Sequence, residues 1–239
     1  MENDSQKAKQ ILIIKNGPYK VLGNIPLVHK EQILSEFGEP LNWKIVKRED
    51  DLGDEYNLCR CGLSAEFPFC DRTHRNAGFD GTESASTRLT TNRRVTLQGG
   101  QNITVMRDPT LCTGSGFCGM KDAPLRKFVI ESDDTQTRSL LIAMIERCPS
   151  GSLTYRIDPE EPDIEPDYPV QISCTIEYES NLPIHGPLWV TGGIEVIRSD
   201  EQPFEDRNRV TLCSCGKSHN KPLCDGEHRY RPMYVDKDK

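Results

Sequence analysis

Long apolar runs are missing from this chain, and aromatic side chains are few. Aromatics make up 7% and hydrophobic residues 35% of 239 positions, so a single large apolar core is not expected. The first apolar run, Ile11 to Ile14, is four residues long, and no twenty-residue apolar stretch occurs anywhere. That is too short for a signal-peptide core or a membrane span. Basic residues form no stripe, and the formal net charge of −7 argues against a general nucleic-acid partner. A nucleotide-binding loop, a Ser-His-Asp set and any substrate motif are also missing, so the expectation is a protein that is not an enzyme. No signal sequence opens the chain at Met1-Glu2-Asn3-Asp4-Ser5, which points to a reducing, cytoplasmic home.

Turn formers and thiols are plentiful instead. Sixteen prolines, eighteen glycines and ten cysteines describe small, loop-rich units that need a staple. In a reducing compartment clustered cysteines read as metal ligands before they read as disulfides.

Spacing carries the main signal. Cys59, Cys61, Cys70 and His74 recur, gap for gap, as Cys213, Cys215, Cys224 and His228. Leu58, Gly62, Ser64, Pro68 and Asp71 match Leu212, Gly216, Ser218, Pro222 and Asp225. This is an internal repeat. It extends upstream, where Gly17-Pro18 to Ile25 aligns with Gly186-Pro187 to Ile194 and the shared apolar positions alternate as on a strand face. Thirty-four positions separate Ile25 from Cys59 and nineteen separate Ile194 from Cys213. The extra length is expected between Lys30 and Asp54, as a short helix at Glu31-Gln32-Ile33-Leu34 and a charged loop. Two thiolates one residue apart can share one metal through a tight turn, and Cys70 and His74 at i and i+4 share a helical face. Asp71 would sit in that turn's first positions. The result is a Cys3His site, for which structural zinc is an alternative on spacing alone.

The pattern Cys-x-Cys-x2-Ser-x3-Pro-x-Cys-Asp-x-x-His resembles that of the CDGSH (mitoNEET-type) iron–sulfur family. Cys224-Asp225-Gly226-Glu227-His228 departs from the name motif once, and Cys70-Asp71-Arg72-Thr73-His74 departs twice without losing a ligand. The whole chain is similar to a bacterial group with two such motifs flanking a ferredoxin-like segment. The resemblance implies a [2Fe–2S] cluster on each set and a dimer-like β-cap made inside one chain from the strands at 17–25 and 186–194. A monomer with internal pseudo-two-fold symmetry is then expected.

Between the repeats stand Cys112, Cys118 and the remote Cys148-Pro149. Bacterial ferredoxins use Cys-x2-Cys-x2-Cys with a remote Cys-Pro; here Cys112 and Cys118 hold the outer positions of the triple and Ser115 the middle one. Leu140, Leu141, Met144, Ile145 and Cys148 fall on one helical face, with Asp133 and Asp134 near the helix start. The segment is similar to divergent single-cluster ferredoxin domains. Three thiolates suit a [3Fe–4S] cluster; a [4Fe–4S] cluster with Ser115 or water on the fourth iron, or a fold that has lost its cluster, are the alternatives.

The expected architecture is small, mixed β and irregular, and metal-stapled. It comprises an N-terminal CDGSH-type unit (1–90), an α+β ferredoxin-like unit (100–157) and a C-terminal CDGSH-type unit (168–239). Cys174 reads as a core thiol on a strand face shared with Val170, Ile172, Ile176 and Tyr178. His219 reads as a solvated loop residue, His29 and His185 as non-ligands, and residues 158–167 and 82–91 as connections. Fully ligated clusters leave no open metal position for a substrate, so they move electrons or are themselves moved. A histidine ligand raises the reduction potential relative to thiolate and makes the cluster sensitive to acid. The expected partner is a redox protein or an apo-protein that accepts a cluster.

Overall fold

The structure is a computed structural model that describes residues 8–120 and 123–235. Short β-hairpins dominate it. β1 (Gln10–Ile13) and β2 (Tyr19–Leu22) form the first, β3 (Leu27–Leu34) and β4 (Pro40–Glu49) the second, and β5 (Glu55–Leu58) runs into the first ligand loop. The middle unit contains β6 (Val95–Leu97), β7 (Thr104–Arg107), the small pair β8 (Gly119–Met120) and β9 (Ala123–Pro124), helices α1 (Leu125–Ile130) and α2 (Thr135–Arg147), and β10 (Leu153–Arg156). β11 (Gln171–Glu179) and β12 (Leu182–Thr191) make a long hairpin, followed by β13 (Glu195–Ile197), β14 (Arg209–Leu212) and the short helix α3 (Glu227–Tyr230).

The repeat seen in the sequence is also a repeat of register. β2 pairs β5 with Tyr19 opposite Leu58 and Val21 opposite Tyr56. β12 pairs β14 with Leu188 opposite Leu212 and Val190 opposite Val210. The next strand inward is β1 in one sheet and β11 in the other, antiparallel to β2 and β12. The fourth strand of each sheet comes from the other repeat: β13 lies parallel to β1, and β3 lies parallel to β11. The sheets thus read β13-β1-β2-β5 and β14-β12-β11-β3-β4. Alternate residues of these strands fill one core in which Ile11, Tyr19, Val21, Leu27 and Leu58 pack with Ile172, Leu188, Val190, Val196 and Leu212. Fully burying each such side chain contributes roughly 1.5–3 kcal/mol, and neither half holds all of them.

Residues 31–34 are not a helix. They complete β3, which pairs β4 along its length and replaces the expected helix and charged loop with a hairpin. The buried face of β3 includes Lys30 and Gln32, at 7% and 5% exposure. Gln32 Nε2 donates to the Ser115 carbonyl at 2.9 Å and its Oε1 accepts from Tyr178 N at 3.2 Å. Lys30 Nζ lies 4.0 Å from the Trp189 ring centroid. Two polar side chains on the inner face hide the strand's alternation.

The middle unit is a three-stranded sheet, β10-β7-β6, covered by the two helices around Ile103, Val105, Phe128, Leu141, Met144 and Ile145. Asp134 caps α2 by accepting from Thr137 N at 2.8 Å. Leu141, Met144 and Ile145 are buried as expected, whereas Leu140 faces solvent at 44% exposure. The helix ends at Arg147 and leaves Cys148 buried.

One buried guanidinium docks this unit on the second sheet. Arg209, 1% exposed at the start of β14, donates through Nη1 to the carbonyls of Ile145, Glu146 and Cys148 and through Nη2 to that of Leu153. It satisfies the last carbonyls of α2, where a cation also suits the helix dipole. Glu165 pairs it at 2.9 Å, and Asp163 pairs Arg156 at 2.8 Å, so the acidic stretch 158–167 is pinned by ion pairs rather than freely solvated. Trp43 of β4 sits 5.2 Å from Phe117 and 5.6 Å from Trp189 between ring centroids, closing the same joint. Arg209→Met should leave four carbonyls and Glu165 without their partner and cost on the order of 3 kcal/mol. A lowered unfolding midpoint in thermal denaturation, with the middle unit melting first, is the expected result.

Candidate metal centres

Each Cys3His set stands on the end of a sheet. Where β5 stops, Cys59 N donates to Pro68 O at 2.7 Å and Cys70 N to Asn57 O at 2.9 Å. Where β14 stops, Cys213 N donates to Pro222 O at 2.8 Å and Cys224 N to Thr211 O at 3.0 Å. These two bonds fold each loop back so that its Cys-x-Cys turn faces its Cys-x3-His turn. The other matched residues hold the loops. Ser64 and Ser218 donate to the carbonyls of Phe69 and Leu223, both at 2.7 Å. Asp71 accepts from Ala65 N and Thr73 N, both at 2.9 Å, and those N–H groups hold its carboxyl down at about 2. Asp225 repeats this with His219 N and Glu227 N. The turn that delivers His74 is a single 3-10 turn, Thr73–Arg75, while α3 delivers His228.

The donors come in pairs. Sγ of Cys59 lies 3.7 Å from that of Cys61, and Cys70 Sγ lies 3.4 Å from His74 Nδ1. The second copy has the same 3.7 Å and 3.4 Å, from Cys213 to Cys215 and from Cys224 to His228. A tetrahedral metal with bonds near 2.3 Å to sulfur and 2.0–2.1 Å to nitrogen has edges of about 3.8 Å and about 3.5 Å. Each pair therefore spans one edge of a tetrahedron. Among the described residues no three His, Cys, Asp or Glu side chains converge on a single-ion position. Burial, with the neighbouring Cys59, pushes the Cys61 thiol up to about 11, and burial pushes Cys224 up as well. Thiols crowded in this way ask for cations among them, so the donor set fits a metal-containing group.

The two ligand loops meet back to back. Cys61 and Cys215 form an antiparallel bridge across the interface of the repeats. Gly62 and Gly216 both have φ of 74°, and a methyl at Gly62 would come within 2.6 Å of the Cys215 carbonyl oxygen; one at Gly216 would strike Cys61 likewise. Only glycine meets both demands. Tyr19 crosses the same interface, its hydroxyl donating to the carbonyls of Cys213 at 2.9 Å and Pro222 at 3.1 Å.

The copies differ in what covers the histidine. His228 and Cys224 are 1% and 2% exposed. Glu177 Oε2 lies 3.1 Å from His228 Nε2 and accepts from Arg229 Nη2 at 2.7 Å. Burial alone would raise the Glu177 carboxyl; His228 and Arg229 hold it below the usual range. Cys70 and His74 are half-buried and face an open cavity of ≈ 610 Å³.

Cys112, Cys118 and Cys148 line one cavity together with Ser115, Ser150 and Arg107. Burial, followed by the nearness of Cys148 and Cys112, raises the Cys118 thiol. Three crowded thiols with a serine at the vacant fourth position fit a cluster better than a packed core. This site adjoins the second Cys3His set. A methyl at Gly226 would lie 2.9 Å from the Thr113 carbonyl oxygen, and Asn220 Nδ2 donates to Thr110 O at 2.9 Å.

The eleven residues named from the sequence lie in three neighbourhoods: the two Cys3His loops and the cavity of Cys112, Cys118 and Cys148. All ten cysteines are free thiols, with no disulfide among the described residues. Cys174 is in the core, as expected, but a bulge after it turns Ile176 and Tyr178 to half-buried positions. His219 is exposed near Asp225, His29 pairs Glu49 at 3.0 Å, and His185 packs on the Phe67 ring. Glu177, Arg209 and Tyr19 were not singled out by spacing. The only hint was position: Glu177 alternates with Thr175 and Ser173 on a face that reads as solvated and is instead buried.

Two measurements follow from the loop geometry. Gly62→Ala or Gly216→Ala should lower bound iron per chain and cost about 1–3 kcal/mol through strain at positive φ and the backbone clash; iron content at wild-type level would contradict the close approach. Glu177→Gln should speed iron loss to a chelator from the second site, since its charge no longer holds His228 and Arg229, while the first site decays as before.

Comparison with known families agrees with this geometry. The family model described as iron-binding zinc finger CDGSH type matches residues 16–75 and 185–229. A model described as divergent 4Fe-4S mono-cluster matches residues 99–158. No curated protein and no solved structure matches the chain, and no helix among the described residues is long and apolar enough to cross a membrane. Two segments that match the CDGSH-type model, each with its full Cys3His set, flank a segment that matches the divergent single-cluster model, and this arrangement supports iron–sulfur binding by the chain.

Proposed function

We propose that this protein is a non-enzymatic electron carrier with a [2Fe–2S] cluster on each Cys3His set and a [3Fe–4S] or [4Fe–4S] cluster at Cys112, Cys118 and Cys148. The paired donors support two irons per set over a single zinc, because a lone ion would need all four donors around one point. The repeated sheets that exchange a strand support an internal pseudo-dimer in a monomeric chain, stapled by its clusters. A cytoplasmic location and a soluble redox partner complete the reading.

The observation that carries it is the order of contact. Residues 113 and 114 approach the loop of the second Cys3His set at Gly226 and Arg229, and that set touches the first through the bridge between Cys61 and Cys215. Three centres joined by direct backbone contacts form a line, with the middle site at one end and the His74 site at the other. His228, sealed by Glu177, is an interior relay station. The half-exposed Cys70 and His74 favour a second reading, in which this protein gives a [2Fe–2S] cluster from the first site to an apo-acceptor.

Iron and sulfide counts on anaerobically purified protein, with an absorption spectrum, test the cofactor set. More than four of each per chain supports three clusters, about four leaves the middle site empty, and colourless zinc protein sinks the reading. His74→Cys and His228→Cys should each lower the potential of their own cluster, because a thiolate adds negative charge where imidazole had none. Redox titration followed by electron paramagnetic resonance checks this, and unchanged potentials would defeat it. A partner that reduces the clusters and leaves them bound supports the carrier; one that strips the first site supports the donor.

A further inference from the structure

The two histidine ligands share a fold but not a neighbour. At the second site the Glu177 carboxylate bridges His228 Nε2 and Arg229. The repeat puts His74 and Arg75 in the positions of His228 and Arg229, yet no carboxylate among the described residues bonds to them. The reason lies in the hairpins. Eighteen positions separate Ile172 from Val190, but only ten separate their counterparts Ile11 and Val21. Glu177 sits in the added length of β11, opposite Ile184. The shorter hairpin turns at residues 14–18 and leaves the ≈ 610 Å³ cavity, lined by Lys15, Asn16, Arg72, His74, Arg75 and Phe79.

Among the described residues no carboxylate pairs with the cations of this cavity. Lys15, Arg72 and Arg75 are exposed, their side chains make no ion pair, and His74 Nε2 has no hydrogen-bond partner among the described residues. The nearby Asp71 carboxylate is committed to the N–H groups of Ala65 and Thr73. An imidazole that binds metal through Nδ1 carries its proton on Nε2, and such a proton is nearly always given to a carboxylate, a carbonyl or water. Guanidinium groups match carboxylates through two parallel bonds.

We propose that the cavity beside His74 binds a carboxylate-bearing ligand, which takes from outside the place that Glu177 fills from within at His228. Its carboxylate accepts from His74 Nε2–H and from Arg75, while Arg72 and Lys15 hold further negative charge. The ligand is a small polycarboxylate or an acidic side chain of a partner protein; both present the same group, and the volume is within the usual range for ligand cavities. The proposal rests on His74 being a cluster ligand, not on the direction in which electrons move.

Calorimetric titration of the iron-loaded chain with citrate and, separately, with a hexaglutamate peptide tests it at fixed low salt. One site per chain is expected for at least one probe, with a shift in the visible spectrum of the His74 cluster. Tighter binding of citrate points to a metabolite, tighter binding of the peptide to a protein partner. Arg75→Gln with Arg72→Gln should weaken binding by about tenfold or more, with iron content measured on the same sample. Neither probe binding, or binding unchanged in the double variant, would overturn the proposal. Binding with its arginine dependence but no shift in the spectrum of the iron-loaded chain would overturn the part of the proposal that places the carboxylate on His74 Nε2.

Discussion

Neither sheet of this protein is complete without the other repeat, since one borrows β13 and the other borrows β3 and β4. Leu27 of β3 beside Ile172, and Val196 of β13 beside Ile11, close the two halves into one core. With few apolar residues to spend, the chain reaches a buried interior only by pooling both halves. The pooling also dictates where the ligand loops go. β5 and β14 end on the same side of the joined sheets, so the Cys-x-Cys turns meet at Cys61 and Cys215, and glycine becomes obligatory beside each of them.

That dependence separates what can be read in the sequence from what cannot. The ligand sets are legible because metal chemistry fixes both residue type and spacing, and a copy repeats every gap. Helix α2 is legible because Asp134 caps it and its apolar residues recur at helical period. β3 is not, because Lys30 and Gln32 occupy its inner face for reasons that lie elsewhere in the chain, on Trp189, Ser115 and Tyr178. Glu177 is hidden by the same logic. A carboxylate on an alternating strand looks solvated until His228 and Arg229, fifty residues on, are brought to it. Partners distant in sequence leave no local pattern.

The middle unit shows how a domain can be joined without a large apolar interface. Arg209 binds carbonyl groups at the end of α2 that any helix leaves bare, and that of Cys148 just beyond it. The residue that starts the second repeat's last strand is therefore also bonded to the backbone that carries the remote thiol of the middle group. Cys213 and Cys148 are thus tied to the same strand, β14.

Divergence between the copies then acquires a physical meaning. Eight added residues in one hairpin convert an open histidine into a sealed one, without altering a ligand. Burial of His228 with its own carboxylate and arginine removes it from solvent, and its loops touch those of the first Cys3His set and of the middle thiols. The short hairpin does the opposite at His74, which is half-buried beside a cavity bordered by Lys15, Arg72 and Arg75, cations without an ion pair among the described residues. On the proposed reading of three centres in a line, the sealed member would lie in the middle and the open one at the end. A symmetric pair could not make that distinction, because both of its histidines would be equally exposed. The inserted length, rather than any change in the Cys3His sets, is what makes the two copies differ.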